Sequence, residues 1–168
     1  MLELRNLLKQ WISGSIEPPP IASLVGFKLL EAADGRSRVE LSAGRVHHNP
    51  MGTVHGGVFC DLADAAMGTA LASLADPGEV FSTTNLSIQY FSPIIESTLF
   101  ASGQVTRLGK TVAHLECEIV DGDGKLVAKA WSTCQISSAQ HPRQGWEAQF
   151  ANMAKHGDDR LLDERTQC

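Results

Sequence analysis

Residues 55–74 read HGGVFCDLADAAMGTALASL and contain no proline. Side chains that share one face at helical spacing recur along this stretch: Val58, Phe59, Leu62, Ala65, Ala66 and Thr69. The stretch therefore predicts one long central helix.

The sequence after this helix changes its period. Beyond a turn at Asp76-Pro77-Gly78, apolar and polar residues alternate, which predicts strands near residues 83–90, 99–105, 113–119 and 126–134. In the first strand the alternation places Leu86, Ile88 and Tyr90 on one face and Thr83, Asn85, Ser87 and Gln89 on the other. Compact turns at residues 108–110 and 121–124 favour antiparallel neighbours, so we expect a four-stranded meander.

Upstream of the helix, the pattern predicts one hairpin and one short helix. Strands are expected at residues 27–32 and 38–41 around an Asp34-Gly35 turn. An amphipathic helix is expected at residues 2–12, before Gly14 and the prolines at 18–20. A single apolar-faced helix between a hairpin and a meander needs a sheet curled around it, so the predicted fold class is α+β with two layers.

The chain divides into three parts. Residues 1–20 form the N-terminal helix and a proline linker, residues 21–137 the main domain, and residues 138–168 a C-terminal extension. In the extension, Trp146, Phe150 and Met153 have helical spacing, so one more helix is an option there.

The composition excludes several classes of protein. With 168 residues, 43% hydrophobic and 20% charged, the chain can bury a core, and a net charge of −5 gives no footprint for nucleic acid or acidic membranes. The four cysteines form no CxxC pair, which argues against zinc or a disulfide framework and favours a reducing compartment. Without a secretory leader pattern or about 18 consecutive apolar residues, we expect a cytoplasmic protein.

Gly56 and Gly57 stand where an extended segment should turn into the central helix. The first turn of a helix has N–H groups without internal partners at the positive end of the dipole, where an oxyanion can be stabilised. Since glycine lets a carbonyl approach the backbone, we predict that Gly56 polarises a substrate carbonyl, with Asn49 and His55 beside it. The alternatives are relief of crowding by the glycines, a turn role for Asn49 and a structural role for His55.

Asp64 is the candidate catalytic carboxylate. It faces away from the apolar stripe of Val58, Leu62 and Ala66, and a carboxylate in a partly apolar cleft can act as nucleophile or as general base on water. A solvated helix face is the alternative, and Asp61 is the rival residue. The neighbours that we expect at the substrate site are Gly57, Met67 and Gly68.

The spacing of Gly56 and Asp64 carries an inference beyond one subunit. They are eight residues apart, which on a helix is about 12 Å along the axis, so one carbonyl cannot contact both. If both act on the same carbon, they come from different subunits whose helices lie antiparallel around a twofold axis. We therefore predict a symmetric dimer with two composite sites.

These residues resemble a known signature. Asn49-x-x-Gly52-x-x-His55-Gly56-Gly57 followed by Leu62-x-Asp64-x-Ala66 is similar to hotdog-fold acyl-CoA thioesterases of the phenylacetic acid degradation type. The similarity covers about residues 20–137 and includes Leu24-Val25-Gly26-Phe27, Tyr90-x-x-Pro93 and Arg107-x-Gly109-Lys110. It implies an antiparallel sheet wrapped around the central helix, and a homodimer or a dimer-of-dimers tetramer.

The resemblance also implies an activity, hydrolysis of aryl or medium-chain acyl-CoA to free acid and CoA. Asp64 would be the nucleophile or general base, Gly56 would polarise the thioester carbonyl, and Asn49 would orient carbonyl or water, with His55 beside them. Thr83 would position the attacking water, unless the register places Thr84 there.

The leaving group sets the remaining requirements. A thiolate departs without strong acid help, so neither a metal nor a redox cofactor is expected, and CoA enters as part of the substrate. Its phosphates need cations, for which Arg107 and Lys110 on a tight turn are candidates, with a solubilising role as the alternative.

Two other functions stay open. One is a hotdog-fold hydratase or dehydratase that keeps the thioester intact, and the other is a non-catalytic acyl-CoA-binding protein. No helix-turn-helix or basic arm is visible, so neither nucleic acid nor membrane is an expected partner.

Overall fold

The computed structural model describes residues 3–138. Helices α1 (Leu4–Ile12) and α2 (Pro20–Val25) precede a hairpin of β1 (Phe27–Ala33) and β2 (Arg36–Ala43). A 3₁₀ turn at Arg45–His47 leads to the long helix α3 (Gly56–Ala72). The remaining strands are β3 (Glu79–Tyr90), β4 (Ser97–Leu108), β5 (Val112–Val120) and β6 (Leu126–Ser138). The predicted α+β class is confirmed, and α2 and the 3₁₀ turn are additions to the predicted elements.

The strands form one antiparallel sheet of six, in the order β1-β2-β4-β5-β6-β3. The predicted four-stranded meander is therefore wrong in one respect, because β3 pairs with β6 and not with β4. The link at residues 91–96 is a crossover and no tight turn: Phe91 N–H donates to Val127 O over 2.8 Å, and Ile94 O accepts from Val54 N–H over 2.7 Å. These bonds hold the link across the start of α3. The chain therefore enters β4 away from β3, and β3 pairs with β6 at the edge of the sheet.

Helix α3 lies against the inner face of the sheet. The approach is closest at Gly103 on β4, where a Cβ atom would lie 2.5 Å from the carbonyl carbon of Ala66. The buried α3 side chains include Phe59, Leu62, Ala63, Ala66, Met67 and Ala70. Ala65 and Thr69 of the predicted stripe are only half-buried. The sheet therefore covers a wider arc of the helix surface than the predicted stripe, and this arc also includes Ala63, Met67 and Ala70.

Helix α1 packs on the main body, as expected for an amphipathic helix that ends before Gly14. Trp11 and Phe27 have ring centroids 6.4 Å apart, and Arg5 donates to Leu74 O over 2.6 Å beyond the end of α3. The division at residues 20 and 137 stays a prediction, and Trp146, Phe150 and Met153 lie outside the described residues. Within residues 3–138, no helix has the length and apolar character needed to cross a bilayer.

Candidate active site

The loop before α3 is held by Asn49. Its Oδ1 accepts from Met51 N–H over 2.9 Å, and its Nδ2 donates to Thr53 Oγ1 over 3.0 Å. Asn49 N–H also donates to Thr53 O over 2.8 Å. These are the bonds of a turn residue. The structure therefore supports the turn role for Asn49, which shapes the loop that leads to His55.

His55 caps the start of α3. Its backbone is extended, and its Nδ1 accepts from Gly57 N–H over 2.9 Å. Because Nδ1 is an acceptor here, the neutral ring carries its proton on Nε2, and the ring itself is exposed. Gly57 N–H is thus used inside the protein, whereas Gly56 N–H has no hydrogen-bond acceptor among residues 3–138. Of the two glycines, Gly56 is the one with a backbone donor left for a ligand.

Tyr90 lies directly against Gly56. Its hydroxyl donates to Gly56 O over 3.0 Å and lies 3.4 Å from Cys60 Sγ. A Cβ atom on Gly56 would lie 3.0 Å from the tyrosine Oη, so a larger residue at this position would have to displace the tyrosine hydroxyl by a few tenths of an ångström. The sequence assigned no role to Tyr90, because a contact between residues 34 positions apart has no local signal.

Asp64 is exposed, and it lies on the side of α3 that faces β3. Its Oδ1 accepts from Thr83 Oγ1 over 2.9 Å, whereas Thr84 Oγ1 donates to Thr133 O over 3.0 Å. The geometry thus favours Thr83 over Thr84 as the partner of Asp64.

A β-bulge explains why Thr83 faces the helix. Thr83 pairs with Cys134 and Asn85 with Thr133, so Thr84 is an extra residue in β3. Beyond the bulge the alternation restarts, and Leu86 pairs with Ser132, which is buried on the helix-facing side of β6. The predicted separation of Thr83 from the face of Leu86, Ile88 and Tyr90 is therefore wrong.

Asp61, the rival carboxylate, lies one turn before Asp64 and is exposed. Partial desolvation and then the nearby negative charge of Asp64 raise the pKa of Asp61. None of the side-chain hydrogen bonds within residues 3–138 involves the Asp61 carboxylate, so it lacks the support that Thr83 gives Asp64.

Of the expected substrate contacts on α3, Met67 needs correction. Its side chain is 0% exposed and belongs to the core, because α3 turns this position toward the sheet. Gly68 is half-buried, and a Cβ atom there would lie 3.8 Å from Cε2 of Phe81 on β3. Gly68 thus lines the same seam between α3 and β3 that holds Asp64 and Thr83.

The two candidate cations lie at the opposite end of α3 from Gly56. Arg107 is exposed near the end of β4, opposite His114 of β5. Lys110 is exposed in the next turn and lines a cavity of about 220 Å³ together with Leu71, Leu74 and Phe81. Both are free of ion pairs with other residues of the range 3–138.

A second cavity, of about 360 Å³, opens beside Gly56. It is lined by Val54, Gly56, Phe59, Tyr90, Phe91, Ser92 and Pro93. Its wall is mostly apolar and aromatic. Nowhere in the described part of the chain do three His, Cys, Asp or Glu side chains cluster as metal ligands would.

Helix α3 bears both candidate groups, the backbone N–H of Gly56 and the carboxylate of Asp64. Gly56 and Asp64 lie on α3, eight positions apart, which is about 12 Å along the axis. Within one subunit the structure brings together Asp64 with Thr83, and Gly56 with His55 and Tyr90, as two separate half-sites.

Comparison with known proteins identifies the family of the chain. The model of the thioesterase superfamily matches residues 51–128. A protein from Saccharolobus solfataricus that carries the name of an esterase is 31% identical over 110 residues, which are 66% of this chain and 78% of that protein. Acyl-coenzyme A thioesterase 13 from Homo sapiens is 29% identical over 112 residues, covering 66% of this chain and 79% of the relative.

A solved structure shows the same fold. The phenylacetic acid degradation protein PaaI from Thermus thermophilus is similar with a TM-score of 0.64 and 27% identity, over 70% of this chain and 98% of that protein. The resemblance to acyl-CoA thioesterases of the phenylacetic acid degradation type is thereby confirmed. The chain belongs to the thioesterase superfamily and is a thioester hydrolase with a hotdog fold.

Proposed function

We propose that the protein hydrolyses acyl-CoA thioesters at a site shared by two subunits, where Asp64 of one and the Gly56 N–H of the other act on one carbonyl. The hydrogen bond from Thr83 to Asp64 carries the proposal, because it fixes an exposed carboxylate on the helix that also presents a free N–H. The name of the human relative supports acyl-CoA as the substrate class. A twofold axis with antiparallel α3 helices satisfies the spacing of the two groups.

The hydrogen bond from Thr83 to Asp64 is compatible with two roles of the carboxylate, general base and nucleophile. As a general base, Asp64 takes a proton from water while the water oxygen bonds to the carbonyl carbon; the C–S bond then breaks and CoA leaves as thiolate. As a nucleophile, the carboxylate oxygen bonds to the same carbon, CoA leaves, and water hydrolyses the resulting anhydride. In both routes the Gly56 N–H stabilises the oxyanion.

His55 and Asn49 support this donor from the loop side. His55 fixes Gly57 N–H, and its exposed ring leaves Nε2 without a hydrogen-bond partner among residues 3–138, so that this atom is available to a substrate. Asn49 holds the loop in place through Met51 and Thr53.

The cavity beside Gly56 suits an apolar acyl group. Phe59, Tyr90 and Phe91 supply aromatic walls, and its volume of about 360 Å³ has room for an aryl or medium-chain group. We assign the acyl end of the substrate to this cavity.

Arg107 and Lys110 are assigned to the CoA phosphates. Replacing both by alanine should raise KM several-fold and change kcat by less than about twofold, because the phosphates do not take part in the bond that breaks. Steady-state kinetics check this with two substrates, an acyl-CoA and an acyl thioester of a truncated thiol that lacks the phosphates. The KM for the truncated thioester should be the same in the variant and the wild type. Equal KM values for the variant and the wild type with acyl-CoA would count against the assignment.

A hydratase mechanism is less well supported. That chemistry usually relies on a histidine and a carboxylate as proton-transfer partners, whereas His55 uses Nδ1 to hold Gly57 N–H and, among residues 3–138 of one subunit, no carboxylate hydrogen-bonds to its ring.

The test of the proposed function is thiol release from a panel of acyl-CoA thioesters. Asp64→Asn keeps the shape and removes the carboxylate, so it should lower kcat by at least about 10²-fold. Asp61→Asn is the matched control, since it removes the neighbouring exposed carboxylate, and it should stay within about threefold of the wild type. Absence of thiol release from every thioester by the folded wild type would contradict the proposal.

A further inference from the structure

Tyr90 is the only tyrosine of the chain, and it links the end of β3 to the first turn of α3. Its hydroxyl donates to Gly56 O over 3.0 Å. Its ring meets Phe59 edge to face, with centroids 5.8 Å apart. The ring is held on one side by α3 itself, so its position is fixed relative to the helix start.

The first turn of α3 needs such a restraint. Two successive glycines have wide backbone freedom, whereas an oxyanion donor is effective only when its direction is fixed in advance. Three hydrogen bonds restrict this turn: Val58 N–H to His55 O at 3.0 Å, Gly57 N–H to His55 Nδ1 at 2.9 Å, and Tyr90 to Gly56 O. The peptide between Gly56 and Gly57 is thus held at both its N–H and its carbonyl. The preceding peptide, which carries the Gly56 N–H, is held at the His55 carbonyl, so the torsions of Gly56 between the two peptides are restricted from both sides.

We propose that Tyr90 is a positioning residue, whose hydroxyl holds the Gly56 carbonyl and so restricts the backbone torsions of Gly56, with the result that the N–H of this residue points at the thioester carbonyl. The inference rests on the proposed function, in which Gly56 N–H binds the oxyanion. Tyr90 does not touch the reacting atoms in this scheme; it acts through Gly56.

The hydroxyl keeps its proton under working conditions. Partial burial, and then the contact with Cys60, raise the pKa of Tyr90 to about 12. The donor to Gly56 O is therefore present at every pH below that range.

The first test is Tyr90→Phe, which keeps the ring and removes the hydroxyl. We expect kcat to fall about tenfold with KM within about twofold, because one neutral hydrogen bond that orients the donor is lost. Cys60→Ala is the matched control, since it removes the other partner of the hydroxyl and leaves the bond to Gly56 O; it should stay within about twofold of the wild type. A rise in KM at unchanged kcat would overturn the inference, because the hydroxyl would then act only in binding the acyl group, whose cavity Tyr90 also lines.

The second test uses the fact that the chain has one tyrosine. Protein produced with a ring-fluorinated tyrosine carries a more acidic phenol at position 90 alone, with little change of shape. Its kcat should fall as the pH is raised through the lowered phenol pKa, followed in the same samples by fluorine NMR, because an ionised oxygen cannot donate to Gly56 O. The unmodified enzyme should keep its kcat over the same range. Unchanged kcat while the phenol ionises would overturn the inference, and a merely structural ring would give that result.

Failure of this inference can be told apart from failure of the proposed function. Thiol release by the wild type, its loss in Asp64→Asn and wild-type rates in Tyr90→Phe would overturn the role of Tyr90 alone. A wild type that releases no thiol would overturn both.

Discussion

Thr83 and Asp64 show how one hydrogen bond orients the candidate catalytic group. The 2.9 Å bond ties Asp64 Oδ1 to the strand beside α3. Asp64 itself could be predicted from the sequence, because helix periodicity is local and separates its position from the apolar stripe. Alternation along β3 could not show that Thr83 is its partner, because the β-bulge at Thr84 interrupts the alternation. The role of Tyr90 was missed for a similar reason, since its contact with Gly56, 34 residues away, leaves no local signal.

The hydroxyl at position 83 should matter for kcat. Thr83→Val keeps the shape and removes the donor to Asp64, so we expect kcat to fall about tenfold, the effect of one lost hydrogen bond to a charged group. Thr83→Ser restores the hydroxyl and should recover most of the rate. Equal kcat values for the valine variant and the wild type would contradict a role for this bond.

At the scale of elements, the contact between α3 and β4 sets the depth of the helix. Gly103 allows the helix backbone at Ala66 to lie against the strand, closer than any side chain permits. The helix and the strands could be predicted from their periods, because each pattern is contained in its own segment. The place of β3 at the sheet edge could not, because it depends on how residues 91–96 cross the molecule.

Gly103→Ala should lower stability. Its Cβ atom would lie 2.5 Å from the Ala66 carbonyl carbon, so helix or strand must shift. We expect the free energy of unfolding to fall by about 1–3 kcal/mol, measured by denaturant titration. Gly44→Ala is the control, since the nearest atom to its Cβ is Glu96 Cγ at 4.0 Å, and it should have little effect. Equal stabilities of the two variants would refute the close-packing argument.

At the scale of the whole molecule, one subunit is half of the proposed enzyme. Each α3 carries a free N–H at Gly56 and a held carboxylate at Asp64, and their separation of about 12 Å along the helix keeps them from meeting on one carbonyl. This conclusion could be drawn from the sequence, because it requires only the helix rise. The identity of the aromatic wall beside Gly56 could not, since its residues come from the loop, from α3 and from the end of β3.

Subunit complementation tests this central claim most directly. Gly56→Pro removes the N–H at the first helical position, where proline is tolerated, and it should lower kcat by about 10²–10³-fold. Gly56→Ala is its control, because it adds a similar Cβ contact with Tyr90 and keeps the N–H.

The inactive Gly56→Pro and Asp64→Asn proteins are then mixed, unfolded and refolded together. If the site is shared, a mixed dimer regains one intact site, so random pairing predicts about a quarter of the wild-type activity. No recovered activity in a mixture that demonstrably contains mixed dimers would contradict the account.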